Sequence, residues 1–399
     1  MLLKPMPDAS PTRTPAVKTA GPSLWLALAL GLCLLLQGCE GLPGTSDHFS
    51  TVPGTNSNGS PLAVNQDSRF QGHIAFTRNH HLYILDGKTA RIRPLPVGAN
   101  VQDPAYSPDG TRLAYISRGA QWSDVLVVAT AGGAPTALTH NQSMGQSITC
   151  PSGVSESDGV WAADPIWTAD SAALYYLSDQ QKLKLACGFF DLAVWQIAAR
   201  GGTPQLVLWP ARAGDPDNAP GAGGDANLSL RPGEHQELVY THYAYDTTQP
   251  GERLQVQLFL ATLNDQKENA LSPAMVDGAS EQALEPAWSP DGRWLAYIRR
   301  SGDNDELYLM RVSDPAGGAP TFSDYAAATR LPSVSGQIAL PVWSPDGKSL
   351  LYLAFKDNEY NLYLAQLSRN GDTLSLQGSA VQLTQGGVDS DSQPSWTAV

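Results

Sequence analysis

Basic residues and histidines are scarce in this sequence. The chain carries 25 lysines and arginines against 38 aspartates and glutamates, and only 7 histidines, which gives a formal net charge of −13. Proteins that bind nucleic acids or anionic lipid surfaces do so through clustered Lys and Arg side chains. The charge balance therefore argues against a nucleic-acid partner and against direct adsorption to a membrane.

Signatures of catalysis are absent as well. The sequence contains no Gly-x-Ser-x-Gly nucleophile elbow, no His-Glu-x-x-His, no phosphate-binding loop and no Cys-x-x-Cys. The histidines are scattered: His80 and His81 fall in a predicted strand connection, and His235 and His242 have no identifiable partners. We predict no catalytic residue, no metal site and no cofactor.

Long apolar runs are missing except for one near the N-terminus. Residues 24–36 form a run of 13 apolar residues that follows several basic residues and is too short to span a bilayer. This layout predicts a secretory signal peptide. The run ends in Leu-Gln-Gly-Cys, which resembles a bacterial lipoprotein signal: residues 1–38 would be removed and Cys39 would carry the lipid. The alternative is an ordinary cleaved signal in which Cys39 has no special role.

Residues 39–69 differ in composition from the segments on both sides. They are rich in Gly, Ser, Thr, Pro and Asn and have few side chains to bury. We expect them to form a flexible tether. It would hold a soluble domain, residues 70–399, next to a bacterial membrane with the lipid as the only membrane attachment.

One short motif recurs through the rest of the chain. Each copy reads as two short strands joined by a tight turn, because Pro-Asp-Gly is turn chemistry and the flanking residues are aromatic or β-branched. The copies are YSPDGTRLAYIS from Tyr106, WTADSAALYYLS from Trp167, WSPDGRWLAYIR from Trp288 and WSPDGKSLLYLA from Trp343. A hairpin that recurs in this way indicates a repeat architecture.

A further, degenerate copy and the two chain ends complete the repeat. Residues 227–244 have Arg-Pro-Gly in place of the turn and Leu238-Val239-Tyr240 in place of the second strand. Residues 72–76 resemble a second strand without a first, and residues 394–399 resemble a first strand without a second. The sequence therefore predicts an all-β fold: a six-bladed β-propeller of four-stranded antiparallel blades, closed by pairing of the N- and C-terminal strands.

The repeat P-x-W-S-P-D-G-x-x-L-A-Y, with a later Gly-Gly-x-x-x-x-Leu-Thr as in residues 132–139, resembles the TolB-type propeller repeat. The resemblance covers roughly residues 70–399. It implies the propeller fold but leaves function open, since such propellers serve as docking platforms, as companions of peptidase domains and as lyases. The turn aspartates Asp109, Asp291 and Asp346 are expected to be structural.

Only two cysteines lie within the predicted propeller, Cys150 and Cys187. In a four-stranded blade, the loop into the next blade and the loop between strands two and three emerge on the same face. The two cysteines occupy one loop of each kind, one blade apart, and an exported protein can form disulfides. We predict a Cys150–Cys187 disulfide; the alternative is two unrelated thiols.

The same face collects four long loops and an acidic pattern. The loops are residues 140–163, 179–189, 210–226 and 243–252. Carboxylates precede the prolines that open the blades, at Asp103, Asp164 and Glu285, with Asp389 and Asp391 shortly before Pro394. They predict an acidic rim at the channel mouth that attracts a cation, an amine or a basic peptide. The alternative is that these side chains cap turn N–H groups.

These features together predict a monomeric, lipid-anchored, extracytoplasmic propeller of the bacterial cell envelope, on the periplasmic side or at the cell surface. We expect it to bind an envelope protein or peptide on the loop-rich face without catalysing a reaction. The alternative is a carbohydrate-binding protein, or a metal-dependent polysaccharide lyase or hydrolase, that uses the axial channel.

Overall fold

Antiparallel β-strands form nearly all the regular structure. The computed structural model describes residues 48–53, 55, 60–144, 148–149, 155–156, 159–180, 192–209, 223–233, 236–246, 253–263, 267–270, 281–314 and 320–399. Two short 3-10 helices, Asn141–Met144 and Tyr325–Ala327, lie within these ranges. None of the helices so described has the length and apolarity required to cross a membrane.

The strands follow one another along the chain as short segments, most of which belong to four-stranded antiparallel sheets. In the first half they are β1 Phe49–Thr51, β2 Ala63–Asn65, β3 His73–Arg78, β4 His81–Asp86, β5 Arg91–Pro94, β6 Val101–Tyr106, β7 Arg112–Arg118, β8 Ser123–Ala129, β9 Thr136–Ala137, β10 Ile148–Thr149, β11 Ser155–Glu156, β12 Ala162–Trp167, β13 Ala173–Ser178, β14 Ala193–Ala198 and β15 Gln205–Leu208. In the second half they are β16 Gly223–Leu230, β17 Glu237–Asp246, β18 Arg253–Thr262, β19 Lys267–Ala270, β20 Glu281–Trp288, β21 Trp294–Ser301, β22 Asn304–Ser313, β23 Thr321–Phe322, β24 Thr329–Gly336, β25 Ile338–Trp343, β26 Ser349–Lys356, β27 Glu359–Asn370, β28 Thr373–Leu376, β29 Val381–Gln382, β30 Thr384–Gln385 and β31 Ser395–Thr397.

The blade count corrects the sequence prediction. Counting each sheet of three or more strands as a blade, the described residues form seven blades, not six. Six have four or five strands: blade 1 (β31, β3–β5), blade 2 (β6–β9), blade 3 (β12–β15), blade 4 (β16–β19), blade 5 (β20–β24) and blade 6 (β25–β29). The seventh, which we call the N-terminal sheet, has three strands: β1, β2 and β30.

Part of the segment expected to be a tether, residues 39–69, forms strands of the N-terminal sheet. Two strands of this sheet, β1 and β2, come from that segment and pair with each other. They are anchored because Leu62 and Val64 are buried against side chains of blades 1 and 6. Arg78 of blade 1, itself 6% exposed, donates hydrogen bonds from its guanidinium to the carbonyl oxygens of Thr55, Ser60 and Gly386. The sequence did not predict these contacts, because the segment is rich in Ser, Gly and Pro and has few apolar residues.

The two ends of the chain meet twice. Strand β31 pairs with β3, with Ile74 opposite Trp396, so this part of the predicted closure is confirmed. A second pairing, between β2 and β30, was not predicted and places Val64 opposite Thr384. Blade 1 is therefore completed by the C-terminal strand, and the N-terminal sheet lies beside the closure.

The recurring hairpins fold as the sequence predicts because their turns are chemically specified. In each Ser-Pro-Asp-Gly turn the aspartate accepts a hydrogen bond from the serine hydroxyl, and the glycine adopts a φ between 64° and 69°. That backbone conformation favours glycine. The second strand that follows is buried on both faces, as for Leu113–Ile116, because each blade packs between two others. We call the side of the propeller on which these Ser-Pro-Asp-Gly turns lie the turn face.

The degenerate copy forms blade 4 as predicted. Residues 231–233 connect β16 to β17, and Leu238, Val239 and Tyr240 are fully buried in the second strand. What the sequence did not indicate is the role of Arg231, which is 1% exposed. Its Nε donates to the carbonyl oxygen of Gly292, 3.0 Å away in the turn of blade 5, and its guanidinium lies over the Trp288 ring.

Candidate functional site

The first strands of blades 2 to 6 share a β-bulge. In each one the strand pairing shifts register, and the residue at the shift has a positive φ of 47° to 55°. A bulge of this kind turns a side chain away from the regular strand direction. The residues placed there are Asp103, Asp164, Asn227, Glu285 and Leu340.

Three carboxylates at these bulges connect one blade to another. Each accepts a hydrogen bond from a backbone N–H of a different blade or of the chain segment that closes the ring. The pairs are Asp103 with the N–H of Gln393, Asp164 with the N–H of Asn227, and Glu285 with the N–H of Leu340. The capping role considered as an alternative to an acidic rim is therefore one function of these side chains.

Burial raises the pKa of all three carboxyl groups. Burial raises the pKa of Asp103, and the nearby charge of Asp164 raises it further, against the lowering effect of the Gln393 N–H. Burial also raises the pKa of Asp164, offset in part by its hydrogen bond from Asn227, and raises the pKa of Glu285 to about 7. A cation bound beside them would favour the ionised form and release protons.

The other two carboxylates of the predicted rim have different surroundings. Asp391 is exposed, accepts a hydrogen bond of 2.8 Å from the Nε2 of Gln102, and contributes to the raised pKa of Asp103. Asp389 accepts the N–H groups of Asn79 and His80 at 2.8 and 2.7 Å, and so caps the β3–β4 turn. Asp164 and Asp391 both raise the pKa of Asp103, so these three carboxyl groups lie near one another.

A cavity of about 430 Å³ extends from Asp103 and Asp164 to the turn face. We call it the axial cavity. Its wall is formed by first-strand residues and by the prolines of several hairpins, such as Pro108 and Pro345, and it ends near Val399. Apolar surface predominates along the wall, and the carboxyl groups of Asp103 and Asp164 are the ionisable side chains at its inner end.

The turn aspartates form closed local networks. Asp109 accepts hydrogen bonds from the Ser107 hydroxyl at 2.6 Å and from the Thr111 N–H at 3.0 Å, which lower its pKa to about 2. Asp291 and Asp346 accept the equivalent serine hydroxyls at 2.7 Å. These carboxylates stabilise the turns through the hydrogen bonds that they accept.

Several predicted features lie outside the described residues. They are the signal peptide, the lipidation site Cys39, the disulfide partners Cys150 and Cys187, and most of the four long loops. In the described part of the chain, no group of three or more His, Cys, Asp or Glu side chains is placed to hold a metal ion.

Two kinds of buried polar contact were not predicted from the sequence. The Nδ1 of His242 lies 2.8 Å from the Oδ1 of Asp225, and both side chains are buried in blade 4. The tryptophans that open blades donate across blade boundaries: Trp167 to the carbonyl oxygen of Ala105 and Trp343 to that of Ala287, each at 2.9 Å. In both hydrogen bonds the donor and the acceptor lie in neighbouring repeats. The sequence reveals such pairs only when the start of each repeat is known.

Comparisons with known proteins agree with this architecture. A family model described as the lipoprotein LpqB beta-propeller domain matches residues 82–178. The uncharacterized peptidase YuxL of Bacillus subtilis (strain 168) is 39% identical over 72 residues, which are 18% of this chain and 9% of the relative. The Tol-Pal system protein TolB of Ruthia magnifica subsp. Calyptogena magnifica is 28% identical over 100 residues, which are 25% of this chain and 21% of that protein.

The fold comparison covers more of the chain. The crystal structure of TolB from Acinetobacter baumannii aligns with a TM-score of 0.50 and 16% identity, over 84% of this chain and 68% of that one. The sequence matches, by contrast, span at most 21% of the two curated relatives. The shared fold shows that this chain is a β-propeller, and its repeat motif and the LpqB-type match make that propeller similar to those of TolB and of LpqB-type lipoproteins.

Proposed function

We propose that this protein is a non-enzymatic docking scaffold of the cell envelope, and that it binds an extended segment of a partner protein in the axial cavity. The observation that carries the proposal is the cavity itself, about 430 Å³ in volume, with a largely apolar wall and acids at its inner end. Ligand sites in proteins commonly combine an apolar wall with a few placed polar groups.

The turn face is the proposed docking face because the axial cavity opens there. Sequence reasoning favoured the opposite, loop-rich face, whose long loops lie largely outside the described residues. The first strands that surround the cavity are held by inter-blade hydrogen bonds, such as that from the Trp343 Nε1 to Ala287. A wall fixed in this way reduces the entropy lost when a flexible segment is bound.

An envelope location is supported by the N-terminal sequence and by the kinds of protein that match. The apolar run of residues 24–36 ends at a Leu-Gln-Gly-Cys sequence. The matching family model describes a lipoprotein propeller, and one matching relative is a Tol-Pal system protein. We propose that Cys39 is lipidated and that the lipid is the only membrane attachment.

The non-enzymatic role is also part of the proposal. The match to a peptidase covers 9% of that relative. It therefore supports a similarity in the repeat and gives no reason to assign an active site to this chain. The alternative activity, metal-dependent cleavage of a polysaccharide, has a direct test. The full chain, incubated with acidic polysaccharides and Ca²⁺, Mn²⁺ or Zn²⁺, should release no oligosaccharide, and any release would replace this proposal.

Photo-crosslinking in intact cells tests the docking site. A photoreactive amino acid replaces Ala398, which lines the axial cavity, and in a control chain it replaces Lys356, which is exposed on the β26–β27 turn at the opposite face. We expect the first position to give one discrete crosslinked protein and the second to give none. Equal products from both positions, or none from position 398, would reject docking in the axial cavity.

A further inference from the structure

A second space lies beside the axial cavity on the turn face. A groove of about 470 Å³ lies between blades 6 and 1, and four residues line both spaces: Ser344, Pro345, Trp396 and Ala398. We call this space the radial groove. The two spaces are therefore adjacent, and the same four residues border both of them.

The radial groove offers both apolar contact and hydrogen bonding. Leu364, Leu367 and Trp396 line it and are nearly buried, at 4%, 7% and 9% exposure. Amide side chains are interleaved with them, at Gln366 and Gln377 among others. Amides can bond to the free backbone N–H and C=O groups of an extended peptide, whose side chains would alternate against the apolar surface.

The radial groove carries basic side chains, whereas the inner end of the axial cavity carries the carboxyl groups of Asp103 and Asp164. The lining of the groove includes two cations, Arg69 and Lys348, and one acid, Asp346. Asp346 is committed to its turn, because it accepts a serine hydroxyl at 2.7 Å and the Lys348 N–H at 3.0 Å. The Nζ of Lys348 lies 4.0 Å from that carboxylate, and its side chain is 79% exposed. Arg69 is also exposed and donates to two backbone carbonyl oxygens nearby.

We propose that the axial cavity and the radial groove together bind one extended, charge-polarised peptide segment. Its basic residue lies against Asp103 and Asp164, its apolar centre passes Pro345 and Trp396, and its acidic residue pairs with Lys348. The inference rests on the proposed function and adds the polarity and path of the ligand. Opposite charges at the two ends fix the direction in which the segment enters, as charge complementarity commonly fixes register.

Selection from a display library of random linear peptides on the full-length protein tests the inference. Selected peptides should combine a Lys or Arg with an Asp or Glu at a constant separation, joined by apolar residues or proline. The Lys348→Glu variant should bind these peptides at least about tenfold more weakly, since it replaces an attraction by a repulsion. Exchanging the peptide's acid for Lys should restore binding to that variant. Lys356→Glu, the same charge change on the opposite face, should bind as the parent does.

The outcomes separate this inference from the function on which it rests. If peptides bind in the axial cavity but respond equally to Lys348→Glu and Lys356→Glu, the radial groove is not part of the site, and the docking function stands. If no peptide is selected and position 398 gives no crosslink, the docking function itself fails and the inference fails with it.

Discussion

The Nε1–H of Trp343 donates to the carbonyl oxygen of Ala287 in the preceding blade, 2.9 Å away. Trp288, at the equivalent position one blade earlier, has a buried Nε1 with no acceptor among the described residues. Both indoles are buried, at 6% exposure each. The two tryptophans therefore share a position in the repeat but differ by one inter-blade hydrogen bond.

This difference can be measured as stability. Trp343→Phe and Trp288→Phe remove similar volume, but only the first removes a hydrogen bond between two blades. We expect Trp343→Phe to lower the free energy of unfolding by about 1–2 kcal/mol more than Trp288→Phe. Urea denaturation of both variants checks this, and equal losses would show that the bond contributes nothing.

Blade 4 lacks the Ser-Pro-Asp-Gly turn and its hydrogen bonds, and Arg231 makes contacts at this place instead. Its guanidinium donates to Asp314 at 2.6 Å and to the Gly292 carbonyl oxygen at 3.0 Å while buried beside Trp288. Arg231→Ala should cost about 2–4 kcal/mol, because it removes a buried side chain that packs on Trp288 and takes the donor away from the Gly292 carbonyl oxygen. The control is Arg311→Ala, which breaks the exposed pair with Asp372 and should cost less than about 1 kcal/mol. Similar thermal midpoints for the two variants would contradict this role.

The raised pKa of Glu285 predicts a stability that falls with rising pH. The folded protein keeps the Glu285 proton up to about pH 7, whereas the ordinary pKa of the group is 4.5. Its contribution is therefore complete below about pH 4.5 and is lost as the pH rises through 7, by on the order of 1–3 kcal/mol. Glu285→Gln keeps an acceptor for the Leu340 N–H and should remove this dependence.

Denaturation at pH 5 and pH 9 gives the comparison. The stability of Glu285→Gln relative to the parent should increase between the two pH values, while that of the exposed Asp372→Asn should not change. A constant difference for Glu285→Gln would mean that the carboxyl group is ionised throughout.

The N-terminal sheet predicts that a residue of the supposed tether stabilises the fold. Leu62 is fully buried among side chains of blades 1 and 6. Leu62→Ala should lower the free energy of unfolding by about 2–4 kcal/mol through lost burial and a residual cavity. Truncating the exposed Val381 to Ala should have little effect. An unchanged thermal midpoint for Leu62→Ala would mean that the segment is a tether after all.

The sequence predicted those parts of the fold that depend on local chemistry. Ser-Pro-Asp-Gly turns carry their own hydrogen-bond donors and acceptors, so the hairpins and the closing pair of β31 with β3 could be located. The blade count was wrong because β1 and β2 have three residues each, too few for a periodic signal. Arg231 was missed since its partners, Gly292 and Asp314, are far away in sequence.

The candidate site was predictable in part for a related reason. Residues just before the blade-opening prolines recur with the repeat, which located Asp103, Asp164 and Glu285 in the ring. Whether each side chain faces solvent or a neighbouring N–H depends on the β-bulge, which alternation of apolar residues does not reveal. Asp389 was assigned to the rim from sequence proximity, although its partners are the N–H groups of Asn79 and His80.

A blocking substitution tests most directly whether a partner segment binds inside the axial cavity. Val342 lines the cavity, and Val342→Trp would fill it. Titration calorimetry with a display-selected peptide should show affinity reduced by at least about tenfold for Val342→Trp. Asp164→Asn, which keeps the shape of the cavity, should weaken only peptides that carry a basic residue. Unchanged affinity in a Val342→Trp protein with the parent's thermal midpoint would contradict binding in the axial cavity.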